Sequence, residues 1–160
     1  MTVGVQGVRL RIYADTSVIG GCLDPEFSGD SERLFEQFRA GYHVLVTSDV
    51  TAAELEFAPD AVKDVVITVP PENRRVVNTS AEAKRLAELY VAAGVVPKWC
   101  WTDARHIAVA TLSDVDVLVS WNFKHIVNLR RIRGYNAVNA GLGYQQLEIR
   151  TPREVVGETD

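Results

Sequence analysis

Cysteine is scarce in this chain, with only Cys22 and Cys100 among 160 residues. That excludes a disulfide framework and any paired-cysteine zinc motif, and it fits a reducing, cytoplasmic setting. Long apolar runs are also missing: none approaches the roughly 20 residues that span a bilayer, so no membrane association is expected. The N-terminal "MTVGVQGVRL" has no basic region followed by an apolar stretch, which excludes a signal peptide from the reading. No internal repeat and no low-complexity segment occurs. No glycine-rich fingerprint follows the first strand, which argues against dinucleotide and P-loop binding. Excess positive charge is absent too. The net charge of −4 argues against a protein that coats nucleic acid, although it leaves room for a local basic groove.

The composition is that of an ordinary soluble domain, 47% hydrophobic and 24% charged. At this length one domain over 1–160 can bury a proper core. Apolar runs at 8–14, 42–47, 115–120 and 147–150 read as strands. Between them, residues 30–41, 48–58, 79–94 and 102–113 read as helices, with a short helix at 60–66 and a helix or turn at 135–142. Ser48 or Asp49 serves as a cap, Thr79 and Glu82 as a capping box, and Gly41 and Gly94 as stops. Residues 65–69 are ambiguous between helix end and strand, Pro70-Pro71 marks a loop, and "TPREVV" is a terminal turn. Strands alternating with helices predict an α/β fold with right-handed crossovers and a mostly parallel sheet covered on both faces, as the apolar "HVLV" and "DVLV" also require.

In such a sheet, ligand chemistry gathers at the carboxyl ends of strands. The stretch "YADTSVIGG" ends the first strand on Asp15, followed by Thr16, Ser17 and the Gly20-Gly21 pair, which frees the backbone to turn away. Glu54 sits in the helix after the second strand. Asp103 opens the helix after "KWCWT", and the strand "VDVLVS" ends on Ser120 with Asn122 two residues on. Each acid has a plain structural role open to it: Asp15 as a cap, Glu54 as a surface residue, Asp103 as a first-turn acid favoured by the helix dipole. Their joint placement at one edge points further. Carboxylates pressed together need a shared proton or a cation. Hard oxygen donors select Mg²⁺ or Mn²⁺, which can activate a water and clamp the oxygens of a phosphoryl displacement.

The pieces "YADTSVIGG", "SDVTAAELEFAP", "PKWCWTDARHIAVAT" and "VDVLVSWNFKHIVN", with the tail "VNAGLGYQQLEIRTPREV", resemble the PIN-domain nucleases, most closely their VapC-like toxin branch, over about residues 11–157. That resemblance implies a three-layer α/β/α fold with a five-strand parallel sheet and an endoribonuclease using Mg²⁺ or Mn²⁺. It also implies RNA as substrate, a cognate antitoxin of a type II toxin–antitoxin pair, and a homodimer. The family's three acids fall on Asp15, Glu54 and Asp103, and its conserved hydroxyl on Thr16 or Ser17. The fourth position, often Asp, is Asn122 here, with Ser120 as a neutral helper. That departure keeps an alternative open: a catalytically weak PIN-like module that binds RNA or antitoxin. An Asp-nucleophile phosphatase is disfavoured, because its second Asp would stand where Ser17 does.

Beside the fourth position, "FKHIVNLRRIR" carries Lys124, Arg130, Arg131 and Arg133 with no acid. The bland reading is a solvated face, and the functional one is a track for RNA phosphates. His106 shares a helix face with Asp103 and is expected to pack or hydrogen-bond. His125 is a loop residue that could meet phosphate. Trp99, Trp101 and Trp121 are expected in the core, with base stacking as the alternative. Cys22 and Cys100 have no partner by spacing and are expected to be buried.

Overall fold

The computed structural model describes residues 8–157, so the reading of residues 1–7 for a leader lies outside the described residues. Five strands form one sheet: β1 (Arg11–Ala14), β2 (Val44–Ser48), β3 (Arg74–Val77), β4 (Val117–Val119) and β5 (Ile149–Arg150). All pair in parallel in the order β3-β2-β1-β4-β5. The chain moves outward from β1 through β2 to β3, then returns to the other side of β1 with β4. The strand order therefore reverses between β1 and β4, and a crevice opens at their carboxyl ends. Asp15 follows β1, and Ser120 and Asn122 follow β4.

Both faces of the sheet are covered, because side chains along a parallel strand alternate between two buried layers. Tyr13, Val46 and Leu118 face one core, built with α5 (Ala81–Ala92), α6 (Trp101–Leu112) and α7 (Leu129–Gly141). Ile12, Ala14, Leu45, Val117 and Val119 face the other, built with α1 (Thr16–Gly21), α2 (Ser28–Ala40), α4 (Asp60–Ile67) and α8 (Pro152–Val156). The remaining helix, α3 (Asp49–Leu55), leaves β2 at once. Ser48 caps it, its hydroxyl accepting from Val50 and Thr51, in a reciprocal box with Thr51. No described helix is long and apolar enough to cross a membrane.

Several local expectations change. Residues 65–69 end a helix, and the strand lies later, at Arg74–Val77. The cap of α5 is Ser80, whose hydroxyl accepts from the Ala83 amide. Thr79 instead donates its hydroxyl to Asp49, and Glu82 accepts from the Tyr144 hydroxyl, so the expected Thr79–Glu82 box does not form. The helix expected at 135–142 begins at Leu129 behind an Asn128 cap, which places Arg130, Arg131 and Arg133 on the helix and leaves Lys124 in the loop before it. "TPREVV" is a capped helix, with Thr151 and Glu154 forming the box. Gly20 and Gly21 belong to α1 and do not form a turn. Gly21 matters for contact: a Cβ there would stand 2.6 Å from Ser31 Oγ and 2.9 Å from Trp121 Nε1.

Candidate active site

Asp15 is both a cap and a convergence point. The extended strand stops there, and the carboxylate accepts from the Val18 amide at 3.3 Å to start α1. The same carboxylate also accepts from Ser17 Oγ and from Ser120 Oγ, each at 2.6 Å. Ser17 accepts in turn from the Trp121 amide at 2.9 Å, and Ser120 from the Asn122 amide at 2.9 Å. The loop after β4 is thus tied to the loop after β1 through two serines. Asp15 is only 4% exposed, yet its carboxylate meets no lysine or arginine among the described residues.

Asn122 joins the third acid to this network. Its amide donates to Asp103 Oδ2 at 3.3 Å, while its carbonyl oxygen accepts from the Lys124 and His125 amides at 3.2 and 2.9 Å. Asn122 therefore shapes its own loop and touches Asp103 at once. His125 Nδ1 lies 3.8 Å from the same Asp103 oxygen.

Glu54 arrives from α3 and is held on two sides. Thr16 Oγ1 donates to Glu54 Oε1 at 2.6 Å, and His106 Nε2 meets the same oxygen at 2.5 Å. A carboxylate only accepts, so Nε2 carries the ring proton. Behind the ring, Nδ1 lies 2.6 Å from Tyr13 Oη, which in turn lies 2.7 Å from Ser48 Oγ. In a neutral ring, Tyr13 donates to Nδ1 and Ser48 donates to Tyr13. In a protonated ring, Nδ1 donates to Tyr13, and the tyrosine proton turns to Ser48. His106 is thus a hydrogen-bonding residue that positions Glu54.

The electrostatics separate the three acids. Burial pushes the Asp15 carboxyl up, against the opposing pull of His106 and the bonds from Ser120, Ser17 and Val18. Burial likewise raises Asp103, and the charges of Asp15 and Glu54 raise it further, while His106 and His125 oppose. Burial would also raise Glu54, but the hydrogen bond and charge of His106, with the Thr16 hydroxyl, hold it below the usual carboxylate range. A buried acid and a half-buried one that resist ionisation, beside a third that favours it, form a site short of positive charge. The donor set fits a divalent cation of the Mg²⁺ class, since carboxylate oxygens are hard ligands, whereas the Asn122 amide oxygen is turned to the Lys124 and His125 amides. Asp15, Glu54 and Asp103, with Asn122 close by, would hold it.

A cleft of about 350 Å³ lies beside Glu54, lined by Asp49, Ala53, Glu54, Trp101 and Arg105 among others. Trp101 is 52% exposed and carries the Arg105 guanidinium over its ring at 4.6 Å. Trp99 is also exposed, so neither tryptophan belongs to the core as expected. Trp121 is half-buried, stacked on Phe27 at 4.5 Å, and its ring nitrogen donates to Ser31 at 2.8 Å. Of the basic residues, Lys124, Arg130 and Arg133 are exposed. Arg131 is engaged by the fold: its guanidinium donates to the carbonyls of Val95 and Lys124. Spacing gave no sign of one further group. Cys100, Asp103 and His125 bring their ligand atoms within 4.8 Å of one another.

No protein-family model matches the chain, and no curated protein sequence matches it. A solved structure does: VapC20 of Mycobacterium tuberculosis, a sarcin-ricin loop cleaving toxin. It aligns with TM-score 0.56 and 14% identity over 85% of this chain and 98% of that one. At that identity the likeness is one of fold, and the chain shares the α/β architecture of VapC20.

Proposed function

We propose that this chain is a metal-dependent endoribonuclease, the toxin of a type II toxin–antitoxin pair, acting in the cytoplasm on RNA. The observation that carries the reading is the hydrogen-bond network of the segments after β1 and β4, in which Ser120 bonds Asp15, Asn122 bonds Asp103 and Thr16 bonds Glu54, with no lysine or arginine paired to any of the three acids among the described residues. The VapC20 likeness supports it, since that protein is a sarcin-ricin loop cleaving toxin with a similar fold. A bound Mg²⁺ or Mn²⁺ supplies an activated water and charge neutralisation for phosphodiester hydrolysis.

The chain's own residues set the stage for that chemistry. Ser17 and Ser120 aim both oxygens of Asp15. Thr16 and His106 fix Glu54 in one rotamer and keep it ionised. Asn122 orients Asp103 through its amide. The exposed Lys124, Arg130 and Arg133 lie on the loop and helix after β4 and are suited to an RNA backbone. Binding partners under this reading are RNA, a second copy of the chain and a small antitoxin. A short reading frame for a DNA-binding protein beside the gene would identify the antitoxin.

The neutral Asn122 amide on Asp103 favours a second reading, a PIN-like module that binds RNA or antitoxin with little turnover. RNA cleavage with added Mg²⁺ or Mn²⁺, abolished by chelation and by Asp15→Asn with Asp103→Asn, supports the nuclease. Equal cleavage by wild type and that double variant overturns it. RNA binding without any metal-stimulated cleavage selects the second reading.

A further inference from the structure

Asp103 belongs to two neighbourhoods. One is the acidic crevice, and the other holds a thiol and an imidazole. Cys100 closes a short 3₁₀ turn, Lys98–Cys100, and immediately precedes α6. Asp103 follows three residues later, which puts both on one face of the first helical turn. His125 comes from the loop after β4. Its backbone amide donates to Asn122 Oδ1 at 2.9 Å, and its carbonyl accepts from the Tyr135 hydroxyl at 2.9 Å, so the fold fixes the loop that carries it. Cys100 is buried, while Asp103 and His125 are half-buried, leaving one side open to solvent.

The spacing matches a coordination polyhedron. Neighbouring donors of a tetrahedral zinc ion with bonds of about 2.0–2.3 Å stand about 3.3–3.8 Å apart. His125 Nδ1 and Asp103 Oδ2 are already 3.8 Å apart, and no pair of ligand atoms in the triad exceeds 4.8 Å. Closing the wider pairs takes about 1 Å of side-chain rotation, which χ-flexible side chains supply. The donor types also decide the ion. A thiolate with an imidazole and a carboxylate suits Zn²⁺ and Co²⁺, whereas Mg²⁺ avoids sulfur.

We propose that Cys100, Asp103 and His125 form a binding site for a thiophilic divalent cation of the Zn²⁺ class, with three protein ligands and one open position. On binding, the cysteine thiol releases its proton to solvent, the imidazole binds neutral and the carboxylate binds ionised, and no electrons are transferred. Because Asp103 serves both neighbourhoods, an ion held here withdraws that carboxylate from Asp15 and Glu54. This second step rests on the nuclease reading: Zn²⁺ then antagonises Mg²⁺-supported cleavage.

Binding is tested on the full chain with Co²⁺ alone, without RNA or Mg²⁺, so that failure here is separate from failure of the nuclease reading. The expected result is one Co²⁺ per chain with a near-ultraviolet thiolate-to-cobalt absorption band and visible bands of tetrahedral intensity, both displaced by Zn²⁺. Cys100→Ser should remove the thiolate band, Cys22→Ser should retain it, and His125→Gln should weaken binding about tenfold or more. Circular dichroism of each variant confirms that it is folded. A Co²⁺ spectrum without the thiolate band, or one unchanged in folded Cys100→Ser, overturns the site. In the cleavage assay, Zn²⁺ should inhibit wild type at concentrations that leave Cys100→Ser active, and equal inhibition of both overturns the antagonism.

Discussion

Ser120 donates to Asp15 across 105 residues of sequence, and the 2.6 Å bond joins the end of β4 to the end of β1. Ser120→Ala should cost about tenfold in RNA cleavage, the worth of one hydrogen bond to a charged group. Loss on Asp15→Asn should be larger, about 10²-fold or more. The Ser120 bond holds the Asp15 carboxyl down against burial. Its removal should therefore move the acid limb of the rate profile to higher pH. Rates measured across pH with one RNA check both the size and the direction.

Asn122→Asp should keep activity and lower the Mg²⁺ or Mn²⁺ concentration for half-maximal cleavage, because it adds negative charge beside Asp103. Asn122→Ala should cost less than Asp15→Ala. An unchanged metal titration for Asn122→Asp would show that position 122 acts only by shaping its loop, where its carbonyl oxygen accepts two amides.

Stability without metal should move in the opposite sense to activity. Burial and two neighbouring acids raise the Asp103 carboxyl from 3.8, so between that value and its folded one the native state binds the extra proton. Stability then falls as pH rises through that window. Glu54, held low, works the other way, and loss of the repelling Asp103 charge favours its ionised form further. Asp103→Asn should thus melt above wild type at neutral pH in chelator, and the gap should shrink as the solution is acidified. Melting curves at several pH values test this, and a lower Tm than wild type at neutral pH would refute it.

Gly21→Ala should destabilise by about 1–3 kcal/mol, the usual cost of overpacking. The new methyl meets Ser31 and Trp121, and those two are already locked in a 2.8 Å hydrogen bond with each other. Gly20→Ala, where a Cβ meets nothing within 4 Å, is the matched control. Urea unfolding of the pair reads the difference.

The RNA track is tested by salt. Each single-strand phosphate that a cation engages adds a slope of about −0.7 in log affinity against log salt. Lys124, Arg130 and Arg133 replaced together should flatten the slope by that amount for every phosphate they engage. Arg131→Ala should instead destabilise the fold, since its guanidinium serves the Val95 and Lys124 carbonyls. Filter binding across a salt series separates the two effects.

What the sequence makes legible is where periodicity or a strand's end carries the signal. β1, β2 and β4 are buried on both faces and read as apolar runs, and Asp15 stands out because it ends one of them. β3 is an edge strand, and its arginines and an exposed Val76 hide it. α1 is six residues long with two glycines, so propensity argues against it. α7 turns a basic face outward and lacks a clear apolar stripe, so its first turn reads as loop. Cys100 and His125 lie far apart in sequence, and only the return of the chain through β4 brings them together. His106 is legible as a histidine near an acid, but its tyrosine–serine backing needs the fold.

The order β3-β2-β1-β4-β5 has a consequence for synthesis. A ribosome making this chain completes β1 early, yet the partners of Asp15 after β4 emerge only when about three quarters of the residues have been made. Until then the growing polypeptide carries Asp15 and Glu54, and later Asp103, without Ser120 or Asn122. On the nuclease reading proposed above, the site of a chain still being made is therefore incomplete. It is assembled as a late event, when the last quarter of the chain docks.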